Sequence, residues 1–191
     1  MDDGLKWLVE AGKSVGLPVV SEITDQTKLS LYEDVDMLQI GARNMQNFAL
    51  LKEVAAFKKP VLLKRGFANT VTELLLSAEY LLDGGLKDVV LAERGIRTFD
   101  DAMRFTPDIG AIVALKELTH LPIIFDPSHA AGNSSFVSPL SLAATAAGAD
   151  GLTIEVHPTP ETALSDGLQA ITPAEFGVLM GKIKKIKYVL G

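Results

Sequence analysis

Short apolar runs alternate along the chain with longer segments in which apolar residues recur at helical spacing. Runs of three to five apolar residues are typical of strands that are buried in a parallel sheet. Each predicted strand has a polar or charged residue at its end or within the next two positions. The pattern predicts six strands, at residues 19–23, 37–41, 61–64, 89–93, 123–125 and 152–156.

The segments between these strands predict helices. Apolar spacing indicates a first helix that stops at Gly16, and a last helix that begins at Pro173. For that last helix, Thr172 is a suitable N-cap, proline is tolerated at the first helical position, and Glu175 completes a capping box. Further helices are predicted at residues 27–31, 47–57, 71–82, 98–118 with a break at Pro107, and 139–147.

Strict alternation of strand and helix predicts the fold class. It implies parallel strands with helices outside them, and six such units count towards the eight of a (β/α)8 TIM barrel. A complete barrel takes about 250 residues. We therefore expect a single α/β domain over residues 1–191, an N-terminally truncated barrel with about six of its eight units. An open doubly wound sheet is the alternative, although no glycine-rich dinucleotide fingerprint follows any strand.

Composition limits the classes of function. The 191 residues are 48% hydrophobic, enough for one core, and the net charge of −6 with interspersed signs argues against a nucleic-acid partner. The sequence shows no apolar run long enough for a membrane and no signal peptide at its start, so a cytoplasmic location is expected. Because the chain has no cysteine, it offers neither a disulfide nor a thiolate metal ligand.

Three cations lie at the ends of predicted strands. Arg43, Lys64 and Arg94 each stand at or just after the carboxyl end of a strand, which is the end that holds the active site in barrels. Burying such cations together is costly by several kcal/mol for each unpaired charge. The pattern therefore favours a bound phosphate or carboxylate. The alternative is that Glu22 and Glu93 are structural partners that pair with these cations.

A second group of residues has the chemistry of metal ligands. Asp126-Pro127-Ser128-His129 follows the strand at 123–125, and alternation along the strand at 152–156 places Glu155 on the face opposite the helices. With Asp166, His129 and Glu155 make a donor set suited to Mn²⁺, Fe²⁺, Co²⁺ or Zn²⁺. Asp166 before a glycine is also typical of a simple turn, and His157 is a competing ligand.

Five motifs in one order resemble a known family. They resemble the short microbial class I (β-type) branch of the 3-deoxy-D-arabino-heptulosonate 7-phosphate (DAHP) synthases, which is related to the 3-deoxyoctulosonate 8-phosphate synthases. The resemblance covers essentially the whole chain. The motifs are Gly41-Ala42-Arg43-Asn44, Leu63-Lys64-Arg65-Gly66, Glu93-Arg94-Gly95-Ile96-Arg97-Thr98, Asp126-Pro127-Ser128-His129, and Glu155-Val156-His157-Pro158 with Ala163-Leu164-Ser165-Asp166-Gly167.

The resemblance implies a fold, a reaction and a site. It implies a (β/α)8 barrel that condenses phosphoenolpyruvate with erythrose 4-phosphate and water, releases phosphate and opens the shikimate pathway to aromatic amino acids. A divalent metal ion, above all Mn²⁺, is implied as cofactor, and a dimer or tetramer as assembly. The resemblance implies that phosphoenolpyruvate is bound by Ala42, Arg43, Lys64 and Arg94, and that the metal is bound by His129, Glu155 and Asp166. It implies Lys64, His129 and Asp126 as catalytic residues. Asp126 would contact the aldose or aid a proton transfer.

The sequence also departs from the family pattern. The family has a fourth metal ligand, a cysteine at the end of the first strand, and a Lys-Pro-Arg-Thr segment after the second strand, and neither is present here. We therefore expect weak metal binding and little turnover unless another polypeptide supplies them. The remaining alternatives are a 3-deoxyoctulosonate 8-phosphate synthase-like enzyme, a Schiff-base aldolase with Lys64 as nucleophile, and an inactive phosphoenolpyruvate-binding remnant.

Overall fold

The structure, a computed structural model, describes residues 2–190. These residues form two compact units, 2–91 and 92–190; the expectation of a single domain stays a prediction. The strands within the described range are β1 (Val20–Glu22), β2 (Met37–Ile40), β3 (Val61–Lys64), β4 (Val89–Glu93), β5 (Ile123–Phe125) and β6 (Gly151–Leu152). The α-helices in that range are α1 (Asp2–Val15), α2 (Phe48–Phe57), α3 (Val71–Asp83), α4 (Ile109–Leu118), α5 (Pro127–Ala131), α6 (Ser134–Ala146) and α7 (Pro173–Leu190).

The first unit is built on strands that follow one another in the sheet in chain order. The order is β1-β2-β3, with β4 next, and the first three pair in parallel, with Ser21 opposite Leu38 and Gln39 opposite Leu62. Most apolar side chains of β2 and β3 are buried, whereas Val20 of β1 is 46% exposed. Helix α3 begins with a capping box in which Thr70 and Glu73 exchange hydrogen bonds. The carboxyl ends of β2 and β3 lead directly into the segments that carry Arg43 and Lys64.

The second unit repeats this arrangement. Its strand order is β4-β5-β6, β5 and β6 are parallel, and Asp126 N donates to Glu93 O at 2.8 Å. Helices α6 and α7 pack through a buried apolar cluster that includes Val137, Leu179 and Ile183. The carboxyl end of β5 leads into α5, which carries His129.

Most of the elements predicted from the sequence are confirmed. Strands β3, β4 and β5 have the predicted bounds, and β1 and β2 are within one residue of theirs at each end. The predicted stop at Gly16 is also confirmed, since its backbone has a φ of 68° just after α1. The capping box of α7 is present, because Thr172 N donates to Glu175 Oε2 at 2.8 Å and Glu175 N donates to Thr172 Oγ1 at 3.3 Å.

The helix predicted at 98–118 is wrong over its first half. Only Ile109–Leu118 is helical, and Ile96 forms an antiparallel bridge with Thr106. The side chain of Thr98 accepts from Asp100 N, and that of Asp100 accepts from Ala102 N. Such local side-chain bonds to the backbone compete with helix formation.

Two further boundaries differ from the prediction. Helix α6 begins at Ser134 instead of 139, because Asn133 accepts from Ser135 N at 3.0 Å and caps an earlier turn. Strand β6 ends at Leu152 instead of 156, and Val156 forms only an isolated bridge with Ile171 while 40% exposed. An apolar side chain alone does not extend a strand beyond the point where the neighbouring strand ends.

No helix in residues 2–190 has both the length and the apolar character needed to cross a bilayer.

The ion pair between Lys116 and Asp150 ties α4 to the β5–β6 pair. Lys116 Nζ lies 2.8 and 2.9 Å from the two oxygens of Asp150, and Ile123 N donates to Asp150 Oδ2 at 2.7 Å. Burial alone would raise the pKa of Asp150, but the bond from Ile123 N and the charge of Lys116 outweigh it, so the pKa lies below the ordinary aspartate range. Ionised Asp150 therefore stabilises the fold above its unfolded pKa, and this contribution is lost as pH falls through its folded pKa.

Asp150→Asn is expected to have a lower Tm than the wild type at pH 7. The difference in Tm between the two should become smaller as pH falls below about 4. Thermal unfolding followed by circular dichroism from pH 7 to pH 3 measures the effect. The exposed Asp101 provides the control, since Asp101→Asn should leave Tm unchanged at pH 7. A Tm gap for Asp150→Asn that stays constant over the whole range would contradict the assignment.

Candidate active site

His129 is held by the residue that caps its own helix. Asp126 accepts from His129 N at 3.0 Å as the N-cap of α5, and its carboxylate also lies 2.9 and 3.1 Å from His129 Nδ1. Asp126 is 0% exposed, so it holds the imidazole ring of His129 from the buried side. A carboxylate at Nδ1 keeps the proton there, so we assign the lone pair to Nε2, the nitrogen that metals use in such arrangements.

Glu155 is fixed through its backbone. Its N–H donates to the buried hydroxyl of Ser128 at 2.9 Å, and its carbonyl accepts from Ile171 N at 3.0 Å. Ser128 lies next to His129 in α5, so the same short helix positions both residues. The Oε2 atom of Glu155 lies 3.9 Å from His129 Nε2.

Asp166 approaches the imidazole from a loop. Its φ of 55° is left-handed, a conformation that aspartate tolerates better than most residues. Its Oδ2 lies 3.9 Å from His129 Nε2, and its Oδ1 lies 3.5 Å from Arg104 Nη1. The second unit thus brings His129, Glu155 and Asp166 near one another, and their role as metal ligands stays a prediction.

The donor set fits a divalent metal ion in its chemistry, but its donor atoms are too far apart to hold one as they stand. Ligand atoms about 2.1 Å from a tetrahedral metal lie about 3.4 Å from each other, so both 3.9 Å separations are about half an ångström too wide. Among residues 2–190, no group of three or more His, Cys, Asp or Glu side chains is close enough as it stands to hold a metal ion. The competing His157 accepts from Thr159 N through Nδ1, which uses one of its ring nitrogens in a local turn.

Two of the predicted anion-binding cations lie in the first unit. Lys64 ends β3 and is 6% exposed, whereas Arg43 follows β2 on the surface. Arg43 lies over the Phe67 ring, 5.4 Å from its centroid. A Cβ added to Gly66 would come 3.4 Å from Ala42 O. Within this unit, the segments that carry Arg43 and Lys64 therefore lie against each other.

The third cation, Arg94, lies in the second unit at the end of β4. It is buried, and its guanidinium stacks on Phe105 with 4.1 Å to the ring centroid. The preceding Glu93 is also buried and accepts from Gly95 N at 2.6 Å. Gly95 has a φ of 85°, and a Cβ there would come 2.8 Å from the Cβ of Phe105, so only glycine fits this close approach.

Sequence reasoning missed several residues around His129. The apolar pattern predicts no helix at the position of α5, although aspartate followed by proline is a common N-cap and first-turn pair. Arg104 was missed because it lies in the stretch assigned to a helix. Gln169, whose Oε1 accepts from Arg104 Nη1 at 3.1 Å, carried no local signal.

The alternating strands and helices, with polar side chains after the strand ends, define a member of the (β/α)8 barrel class of proteins. A family model described as the DAHP synthetase I family matches residues 1–188. The chain belongs to the DAHP synthetase I family.

Similar proteins support the same assignment. The chain is 49% identical to the phospho-2-dehydro-3-deoxyheptonate aldolase of Thermotoga maritima, over the whole chain and 56% of that protein. It matches the structure of a truncated form of 3-deoxy-D-arabino-heptulosonate 7-phosphate synthase from the same organism with a TM-score of 0.97 and 48% identity, covering all of this chain and 73% of the other. A 2-dehydro-3-deoxyphosphooctonate aldolase of Acidithiobacillus ferrooxidans is 30% identical over the whole chain and 71% of that protein. The chain thus spans just over half the length of its Thermotoga relative.

Proposed function

We propose that this chain belongs to a metal-dependent DAHP synthase, which condenses phosphoenolpyruvate with erythrose 4-phosphate and water to 3-deoxy-D-arabino-heptulosonate 7-phosphate and phosphate. The observation that carries the proposal is the group formed by His129, Glu155 and Asp166 in a chain that is 49% identical to a phospho-2-dehydro-3-deoxyheptonate aldolase. The lower identity, 30%, to an octonate aldolase favours the seven-carbon product over the eight-carbon one. A cytoplasmic location and a homo-oligomeric assembly accompany the proposal as family features.

In the proposed reaction, carbon 3 of phosphoenolpyruvate attacks the aldehyde carbon, and water adds at carbon 2. The bond between carbon 2 and the bridging oxygen then breaks, and phosphate leaves with that oxygen. Both substrates carry phosphate, and phosphoenolpyruvate also carries a carboxylate. A site for them must therefore supply fixed positive charge and hold the two reacting carbons next to each other.

Arg43, Lys64 and Arg94, with the backbone of Ala42, are proposed to bind phosphoenolpyruvate. An arginine fork meets phosphate or carboxylate in two parallel hydrogen bonds, whereas the lysine ammonium is a compact point charge. Phe105 supports this role because its ring fixes the plane of the Arg94 guanidinium before any ligand arrives. Lys64 is buried enough for its charge to act with little screening by water.

His129, Glu155 and Asp166 are proposed to hold the divalent ion, with Mn²⁺ favoured. When bound, such an ion polarises an aldehyde oxygen or lowers the pKa of a water molecule. His129 contributes Nε2 because Asp126 holds Nδ1, and Ser128 fixes the backbone of Glu155. In this proposal Asp126 acts through His129, because it is fully buried behind the ring.

Isotope and trapping experiments test the proposed reaction. With Mn²⁺ and both substrates, phosphoenolpyruvate labelled with ¹⁸O at the bridging position should release labelled phosphate, and a chelator should stop the release. Calorimetry should detect phosphoenolpyruvate binding, and Arg94→Met should weaken it.

A different result would assign the chain to another class. Borohydride trapping of a carbonyl substrate on Lys64, with activity that resists chelators, would identify a Schiff-base aldolase instead. Phosphoenolpyruvate binding without condensation at any metal concentration would indicate a binding remnant.

A further inference from the structure

We propose that Arg104 is a positioning residue that holds Asp166 in the orientation needed to bind the metal ion. This inference rests on the proposed metal site and concerns a residue outside the donor set. Arg104 lies in the segment before α4, and all its contacts described below are within the second unit.

The backbone of Arg104 is attached to the helix that carries His129. Its N–H donates to Ala131 O at 3.1 Å, and the next residue, Phe105, donates to Ala130 O at 2.9 Å. A Cβ added to Gly132, whose φ is 68°, would come 2.7 Å from the Cβ of Arg104. The start of the Arg104 side chain is therefore fixed relative to α5.

The end of the same side chain reaches the loop of Asp166. Arg104 Nη1 lies 3.1 Å from Gln169 Oε1 and 3.5 Å from Asp166 Oδ1. Gln169 is buried, and its own N–H donates to Asp166 O at 3.2 Å. One guanidinium thus contacts both ends of the short turn between Asp166 and Gln169, and it joins this turn to α5.

The two oxygens of Asp166 are divided between two neighbours. Oδ1 faces Arg104, and Oδ2 faces His129 Nε2. Arg104 therefore leaves the oxygen that points at the metal-binding nitrogen available for an ion. Its positive charge also reduces the repulsion that the carboxylates of Asp166 and Glu155 experience when they approach one nitrogen. Both effects favour a loop that is arranged before the metal binds.

The buried amide of Gln169 supports this role. Its Nε2 has no hydrogen-bond partner among residues 2–190, which is an unfavourable state for a buried polar group. Its Oε1, in contrast, receives the Arg104 bond. The buried amide thus retains its contact with Arg104 although its other end is unsatisfied.

Hydrogen exchange of the metal-free chain tests the positioning role directly. In Arg104→Gln the amides of residues 163–170 should exchange about tenfold faster than in the wild type, while those of β5 keep their protection. Arg104→Lys keeps the charge and loses the fork, so it should restore part of the protection. Unchanged exchange at residues 163–170 in Arg104→Gln would overturn the proposal.

Metal affinity provides the second measurement. Titration with Mn²⁺, followed by the electron paramagnetic resonance signal of the free ion, should give a Kd about 10-fold higher for Arg104→Gln, the lower end of the range for residues that orient metal ligands. An equal or lower Kd would show that Arg104 does not prepare the site. A wild-type chain that binds no Mn²⁺ would reject the metal site of the proposed function, whereas the exchange data would still decide whether Arg104 orders the loop.

Lys116→Gln is the matched control. It breaks another ion pair between a cation and an aspartate in the same unit, with Asp150 as the partner. It should lower Tm without changing the exchange of residues 163–170 or the Kd for Mn²⁺. Equal effects of the two variants on Mn²⁺ affinity would indicate a general loss of stability and contradict a positioning role for Arg104.

Discussion

Asp126→Asn is expected to weaken Mn²⁺ binding by about 10- to 100-fold, the range for removal of a group that orients a metal-bound histidine. The carboxamide can still accept from His129 N and cap α5. Its amide group cannot hold the proton on Nδ1 as a carboxylate does. The favoured tautomer should then carry the proton on Nε2, the nitrogen that faces Glu155 and Asp166.

Two measurements separate this effect from a loss of fold. Mn²⁺ titration gives the affinity, and ¹⁵N chemical shifts of the His129 ring report which nitrogen carries the proton. Asp108→Asn is the matched control, because Asp108 is also an aspartate N-cap, accepting from Ala111 N in α4. Unchanged His129 shifts, with a Kd within twofold of the wild type, would contradict the assignment of Asp126.

Phe125→Ala is expected to destabilise the second unit by about 3–5 kcal/mol, the usual result of truncating a buried aromatic residue. Phe125 is 0% exposed and lies in β5, opposite Leu152 of β6. Its backbone carbonyl also accepts from Thr153 N at 2.9 Å. The cavity would open in the strand that leads into α5, so weaker Mn²⁺ binding should accompany the lost stability.

Urea unfolding followed by circular dichroism measures the change in the free energy of unfolding. Phe99→Ala provides the comparison, since it deletes the same side chain from a position that is 104% exposed. That variant should remain within about 0.5 kcal/mol of the wild type. Similar losses in both variants would show that burial in β5 is not the cause.

Local chemistry explains which elements could be predicted from the sequence. Strands β3, β4 and β5 are short apolar runs that are largely buried, so their composition alone marks their bounds. The start of α7 could be predicted because Thr172 and Glu175 bond to each other across a single turn. In each case the residues that decide the structure are neighbours in the chain.

The errors arise where a choice between two local structures depends on distant residues. The stretch around Arg104 has helical spacing, but its backbone bonds instead to Ala131, and Thr106 pairs with Ile96. Strand β6 ends early because its pairing with β5 ends at Leu152, although the apolar pattern continues to Val156. The spacing of apolar residues along the chain carries no information on where the neighbouring strand ends.

By itself, the sequence determined the strand and helix alternation, the family resemblance and the identity of the candidate ligands His129, Glu155 and Asp166. Only the tertiary structure decided how they are oriented: that Asp126 holds Nδ1 of the imidazole, that Ser128 fixes Glu155, and that Arg104 takes one oxygen of Asp166. The physical reason is that a donor atom's direction depends on hydrogen bonds between separate elements. Those bonds depend on strand order and register, which no local pattern of residues encodes.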